Sequence, residues 1–228
     1  MPKISDTSLP WAEAEEAFLT RLGMSSEEFY ALAEAYRGRA WTLTHIADHQ
    51  MMLRIKEQLQ ASIESGGTLQ EFRKWLAQDV KPGMDAATAL EWTGAYTQTV
   101  FRMATFTSYS SGRWKQITDP DVVEEFGYLM YDAVNDDRTR DDHAEMDGKV
   151  WRREEFPDYW WPPNGFNCRC EVRAVNEEIA SRLGGEAERD QPTVLPDDGF
   201  QTNQAANQWA TDLGLESHLR GVRSQLNS

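Results

Sequence analysis

Along the first half of the chain, apolar residues return every three or four positions, which is the period of an amphipathic helix. Met51, Met52, Ile55, Leu59 and Ile63 fall on one such face, and Gly66 with Gly67 ends the segment. Phe72, Trp75 and Leu76 give the next helix its core face. From Asp85 to about Lys115 the positions Leu90, Tyr96, Val100, Met103 and Phe106 keep the same rhythm, with a break expected between Ser108 and Gly112. Ser25 with Glu28 and Thr68 with Glu71 stand at the spacing of a capping box, so this half is read as about three or four helices. At Tyr128 the period shortens. The segments 128–134, 149–152 and 170–175 alternate or carry β-branched residues and predict a small sheet of about three strands. Asn176, Glu177 and Glu178 open a short helix that stops at Gly184 and Gly185. A loop follows over 186–199, then a final helix from about Asn203, broken near Gly214.

The fold class expected from this pattern is α+β: a helical N-terminal half, a small antiparallel sheet, then short C-terminal helices. The expected units are residues 1–115, 116–185, and 186–228 as linker and terminal helices. At 228 residues the chain can bury a substantial core, and its 40% hydrophobic content with nine tryptophans argues against wholesale disorder.

A formal charge of −15 opposes nucleic acid as the main partner, because a phosphate backbone meets net repulsion. Arg138, Arg140, Lys149, Arg152, Arg153, Arg169 and Arg173 do gather in one region, but carboxylates are interleaved among them, which reads as a salt-linked surface. No apolar run reaches the roughly 18 residues needed to cross a bilayer, and the N-terminus lacks the pattern of a signal peptide. A reducing cytoplasm is therefore the expected place of synthesis, with the two cysteines as free thiols or metal ligands in preference to a disulfide.

Residues 135–173 concentrate the chemistry. His143, Cys168 and Cys170 offer a nitrogen and two thiolates of the type zinc takes, and Asp137, Asp142 or Asp147 could supply a fourth ligand. A C-x-C pair within a strand places both sulfurs on one face with Cα atoms about 6–7 Å apart, unlike the wider spacing of a zinc knuckle. The preferred reading has the thiols packing as small hydrophobes while His143 bonds a neighbouring carboxylate, with no cofactor; structural zinc is the alternative. Asp136, Asp137, Asp141, Asp142, Glu145 and Asp147 around His143 could hold a divalent ion for phosphodiester chemistry, and a Cys-His nucleophile is a further option. Catalysis is not expected, because a contiguous acidic run is the usual mark of a solvated loop and no protease signature surrounds the cysteines.

Read structurally, Asp136 and Asp141 bracket Arg138 and Arg140 in ion pairs, while Asp147-Gly148 and Asn164-Gly165 mark turns. Tyr159, Trp160, Trp161 and Phe166 cover the sheet, with Trp160 and Trp161 as candidate exposed anchors for a partner. His45 and His49, four apart without an acidic context, are read as ordinary helix residues.

Two blocks carry a family resemblance. Asp136 to Gly148 reads D-x-R-T-R-x-x-H-x-x-x-D-G, through Asp136, Arg138, Thr139, Arg140, His143, Asp147 and Gly148. Pro162 to Cys170 reads P-P-x-G-x-N-C-R-C, through Pro162, Pro163, Gly165, Asn167, Cys168, Arg169 and Cys170. Together they resemble the signature of the phage Mu F-like head morphogenesis family. The stretch from Thr107 to Trp114 and the Asp198-Gly199-Phe200 and Asn203 spacing extend the likeness over about 40–209. Asp141 and Asp142 depart from the Pro-x-His that often precedes the histidine in this family. The resemblance implies a minor head protein of a tailed phage or prophage. Such a protein would act by contacts with the portal, the scaffold or the major capsid protein, and would be carried in the virion.

Overall fold

The computed structural model describes residues 12–44, 46, 48–184, 190–209 and 214–226. His45, Gly185, the first residues of the expected linker and the N-terminal segment read for a signal peptide lie outside the described residues.

The first part of the chain runs α1 (Ala12–Leu19), β1 (Leu22–Gly23), α2 (Ser26–Ala31), α3 (Glu34–Arg37) and β2 (Ala40–Trp41), then α4 (His49–Ser65) and α5 (Leu69–Trp75). It continues through a π turn and a 3-10 turn over 76–83 to α6 (Ala86–Glu91) and the long α7 (Gly94–Ile117). Both capping boxes form: Ser25 with Glu28 starts α2, and Thr68 with Glu71 starts α5. Gly66 adopts φ +68° at the end of α4, a left-handed conformation that a side chain would resist.

Two expectations for 85–115 are corrected. Leu90 is 77% exposed and belongs to no core stripe, because α6 stops at Glu91 and Thr93 begins a new helix by accepting a hydrogen bond from the Tyr96 N–H at 3.1 Å. The break expected at Ser108 to Gly112 is absent: α7 runs straight through. Ser108 and Ser111 return their hydroxyls to the carbonyls of Ala104 and Thr107, and Gly112 lies where α1 crosses closest. Small residues there serve close helix packing, not termination.

After α8 (Pro120–Glu125) come β3 (Tyr128–Asp132), α9 (Asp141–Met146), β4 (Val150–Arg152) and β5 (Glu171–Val175), then α10 (Glu177–Gly184), α11 (Gln204–Trp209) and α12 (Leu215–Leu226). The sheet order is β4-β3-β5, antiparallel throughout, with Met130 opposite Val150 and Arg173. The α+β class is as expected. A separate parallel pair, β1 with β2, was not anticipated, since its strands are two residues each. Leu129, Tyr131, Trp151 and Val172 face one side of the three-stranded sheet, into a core shared with Ile117 and Trp114 of α7. Met130, Val150 and Val175 face the other, where Ala180 of α10 covers them. A third core joins Leu215, Leu219 and Val222 of α12 to Met24 and Leu32.

α7 belongs to both major cores, since its N-terminal half contributes Val100, Phe101 and Ala104 to the helical core. The expected boundary at 115 therefore falls inside the last turn of this helix. Arg21 is buried against three neutral partners, Thr107, Ser111 and Gln208, and desolvation pushes its pKa down to about 10.

Gly112→Ala tests the α1–α7 approach. In an open helix interior this change gains about 1 kcal/mol, but here the added Cβ meets the Ala14 backbone nitrogen at 2.9 Å. A net loss of about 1–3 kcal/mol is expected in urea unfolding, the usual range for overpacking. A gain would contradict the close packing.

Candidate metal centre

The two sequence blocks meet at one point. The first block connects β3 to β4, and its central segment, expected as an acidic loop, forms α9 instead. That helix turns His143 inward, to 2% exposure. The second block precedes β5. Asn167 takes φ +58°, a conformation Asn tolerates, so the chain bends just before Cys168 and only Cys170 borders the strand. Both sulfurs consequently converge on the histidine. Nδ1 of His143 lies 3.4 Å from Cys170 Sγ and 3.8 Å from Cys168 Sγ, and the three ligand atoms all lie within 4.8 Å of one another.

This corrects the expected partner of His143, which faces two thiols and no carboxylate. Nε2 of the ring is buried without a hydrogen bond. The adjoining Cys168 thiol and then the His143 contact hold Cys170 below the ordinary thiol range, while the Cys170 sulfur together with burial pushes Cys168 well above it. Tyr131 reaches Cys170 and donates to Asn164 Oδ1 at 2.9 Å.

None of the three carboxylates considered as a fourth ligand joins the cluster. Asp142 Oδ1 accepts the His143 N–H at 3.0 Å, and Asp147 accepts the Ala133 N–H at 2.8 Å and the Asn135 side-chain amide at 2.5 Å. Asp137 is exposed. Gly148, at φ +72°, makes the turn into β4 that the sequence suggested.

Around the cluster the blocks are joined by ion pairs. Arg169 grips Asp136 through two bonds of 2.6 and 2.5 Å, and Arg138 adds a third at 3.3 Å. These guanidinium contacts, Arg169 first, hold the Asp136 carboxyl well below the usual range. The Asp136 N–H donates to Thr139 Oγ1 at 3.1 Å. Arg140 does not pair with Asp141 as expected: it donates to the Phe166 carbonyl at 2.9 Å and meets Asp197 at 3.2 Å. A Cβ at Gly165 would collide with the Asp197 carboxylate and displace it from that pair. The Pro162-Pro163 bond is cis, and the Pro162 carbonyl accepts the Ser110 hydroxyl. Asn167 donates its amide to Thr99 of α7 at 3.1 Å.

Trp160 and Trp161, read as exposed anchors, are buried at 0% and 2%. Each indole N–H has found an internal acceptor, Val194 O at 3.2 Å and Ser110 Oγ at 2.9 Å. Trp160 stands edge-to-face with Tyr131 and His143, and Trp161 with Trp114. They are core residues; of the four rings, Phe166 is the exposed one, at 55%. Sequence reasoning missed Tyr131, Ser110 and Asp197, and read Asn164 only as part of a turn. Tyr131 was findable, because strand alternation puts it on the same face as Leu129; the others act only through distant contacts.

The fold and site define a class of α+β protein in which a His-Cys-Cys cluster joins the connections of a three-stranded sheet. The family model for phage Mu protein F like protein matches residues 53–173, more than half of the chain, and the chain belongs to that family. It is 29% identical over 168 residues to protein F of Escherichia phage Mu, a protein named for capsid assembly, covering 67% of this chain and 37% of that protein. It is 27% identical over 206 residues to the Mu-like prophage FluMu F protein of Haemophilus influenzae, covering 82% of this chain and 49% of that one. The chain thus spans half or less of the length of these relatives. No solved structure matches it.

Two outcomes check this site. Asp136→Asn is expected to lower stability at neutral pH. Because the carboxyl is depressed when folded, its contribution is present above the unfolded value of about 3.9 and is lost as pH falls through the folded one. The difference from the wild type is therefore expected to hold from neutrality to about pH 4 and shrink below it, with salt weakening it throughout; a constant difference in acid titrations would contradict the pairing. Trp161→Ala is expected to cost about 3–5 kcal/mol in chemical denaturation, whereas wild-type stability would show that the ring is not core.

Proposed function

We propose that this chain is a minor head protein of a tailed phage or prophage, working by protein–protein contacts during capsid assembly and carried in the virion. The observation that carries this reading is the family match, which runs unbroken from α4 through the cluster to β5, together with a relative named for capsid assembly. Its partners are the portal, the scaffold or the major capsid protein. A chain with net charge −15 meets repulsion from packaged DNA, so the genome does not compete for its protein contacts.

The placement of the acidic residues supports binding over hydrolysis. Asp137 and Asp141 face solvent, Glu145 pairs with Lys149 at 3.8 Å, and Asp147 is used in the turn after β3. A carboxylate-held divalent ion needs those groups aimed at one point, and among the described residues none joins His143. No described helix is long and apolar enough to cross a membrane.

Deleting the gene from its phage is expected to bring the yield of filled heads to background, with recovery when the chain is supplied in trans. Electron microscopy of lysates reads both. Undiminished filled heads in the deletion would contradict the assembly role.

A further inference from the structure

We propose that His143 Nδ1, Cys168 Sγ and Cys170 Sγ hold a zinc ion that clips the β3–β4 connection to the start of β5. The argument rests on geometry and is independent of the head-assembly reading. Zinc binds nitrogen at about 2.0–2.1 Å and thiolate sulfur at about 2.3 Å on tetrahedral arms, which sets ligand nitrogen and sulfur about 3.5 Å apart. The observed separations, 3.4 and 3.8 Å, bracket that value. Only small side-chain shifts are needed to close the three around an ion.

Two further features agree. One imidazole with two thiolates is a borderline-soft set that suits zinc better than magnesium or calcium. All three residues are buried, at 2%, 5% and 3% exposure, which a nucleophilic cysteine could not use but a clip can. Among the described residues no fourth His, Cys, Asp or Glu joins them.

Glu145 stands two residues after His143, the spacing at which some zinc hydrolases carry an acid–base glutamate. Here it is exposed and tied to Lys149, away from the cluster. The ion's role is therefore mechanical. It joins positions 25 and 27 residues apart and so restricts the unfolded chain as a crosslink would.

Untagged chain purified from zinc-supplemented cells is expected to carry about one zinc per molecule by elemental mass spectrometry, the stoichiometry of a single site. Cobalt in its place is expected to give thiolate charge-transfer and tetrahedral visible bands. His143→Ala, Cys168→Ser and Cys170→Ser are each expected to lose the metal. Should those variants not fold, the wild type itself provides the test: chelation is expected to lower its thermal midpoint, and added zinc to restore it. A folded wild type without zinc or cobalt bands would overturn the proposal. So would zinc retained in all three variants, or zinc removed with no change in the midpoint.

Discussion

The segment that gives this chain its family character is held by contacts between two blocks that are distant in sequence and individually ill suited to fold. The first is acidic, with Asp136, Asp137, Asp141 and Asp142 close together, and as an isolated peptide it would repel itself. The second bends at Asn167 and contributes Arg169 and the two cysteines. Joined, they satisfy each other: Arg169 neutralises Asp136, Arg140 reaches the Phe166 carbonyl, and His143 meets both sulfurs. Neither block supplies a complete environment for its own buried polar groups. Their meeting is the constraint from which the rest of the sheet region follows, since it sets where β3 ends and β5 begins.

The long helix α7 transmits that arrangement to the rest of the molecule. Arg113 donates to the Val172 carbonyl in β5, Ser110 bonds both the Pro162 carbonyl and the Trp161 indole, and Trp114 packs on Trp161. On the same helix, Gly112 admits α1 and the Ser111 carbonyl accepts the Trp209 indole of α11. Ser110, Ser111, Gly112 and Arg113 are small or polar, which is why the helix looks interrupted in sequence and is continuous in space. At its other end Val100, Phe101 and Ala104 enter the helical core, so one element spans both hydrophobic centres.

Local signals were legible and non-local ones were not. Capping boxes, the Gly66 terminus and the three strands depend on neighbours within a few residues, and the sequence states those neighbours directly. The segment 128–134 also reads correctly as a strand, which the structure forms over Tyr128–Asp132. What escaped depended on partners far along the chain. Asp197 cannot be assigned to Arg140 from spacing, and the burial of Trp160 and Trp161 follows from acceptors at Val194 and Ser110. The cysteines were read as lying within a strand, where their sulfurs would share a face; the left-handed Asn167 removes that premise, and both sulfurs converge on His143.

These features together make the signature a rigid junction, with any partner contact made from the surface around it. Native-state hydrogen exchange on the full chain tests this most directly, because it reads the opening free energy of each segment separately. The account predicts that amides of α9, β3 and β5 exchange as slowly as those of the buried centre of α7. Rapid exchange across 135–173, with protection retained in α4 and α7, would contradict it and return the signature to the status of a mobile acidic loop.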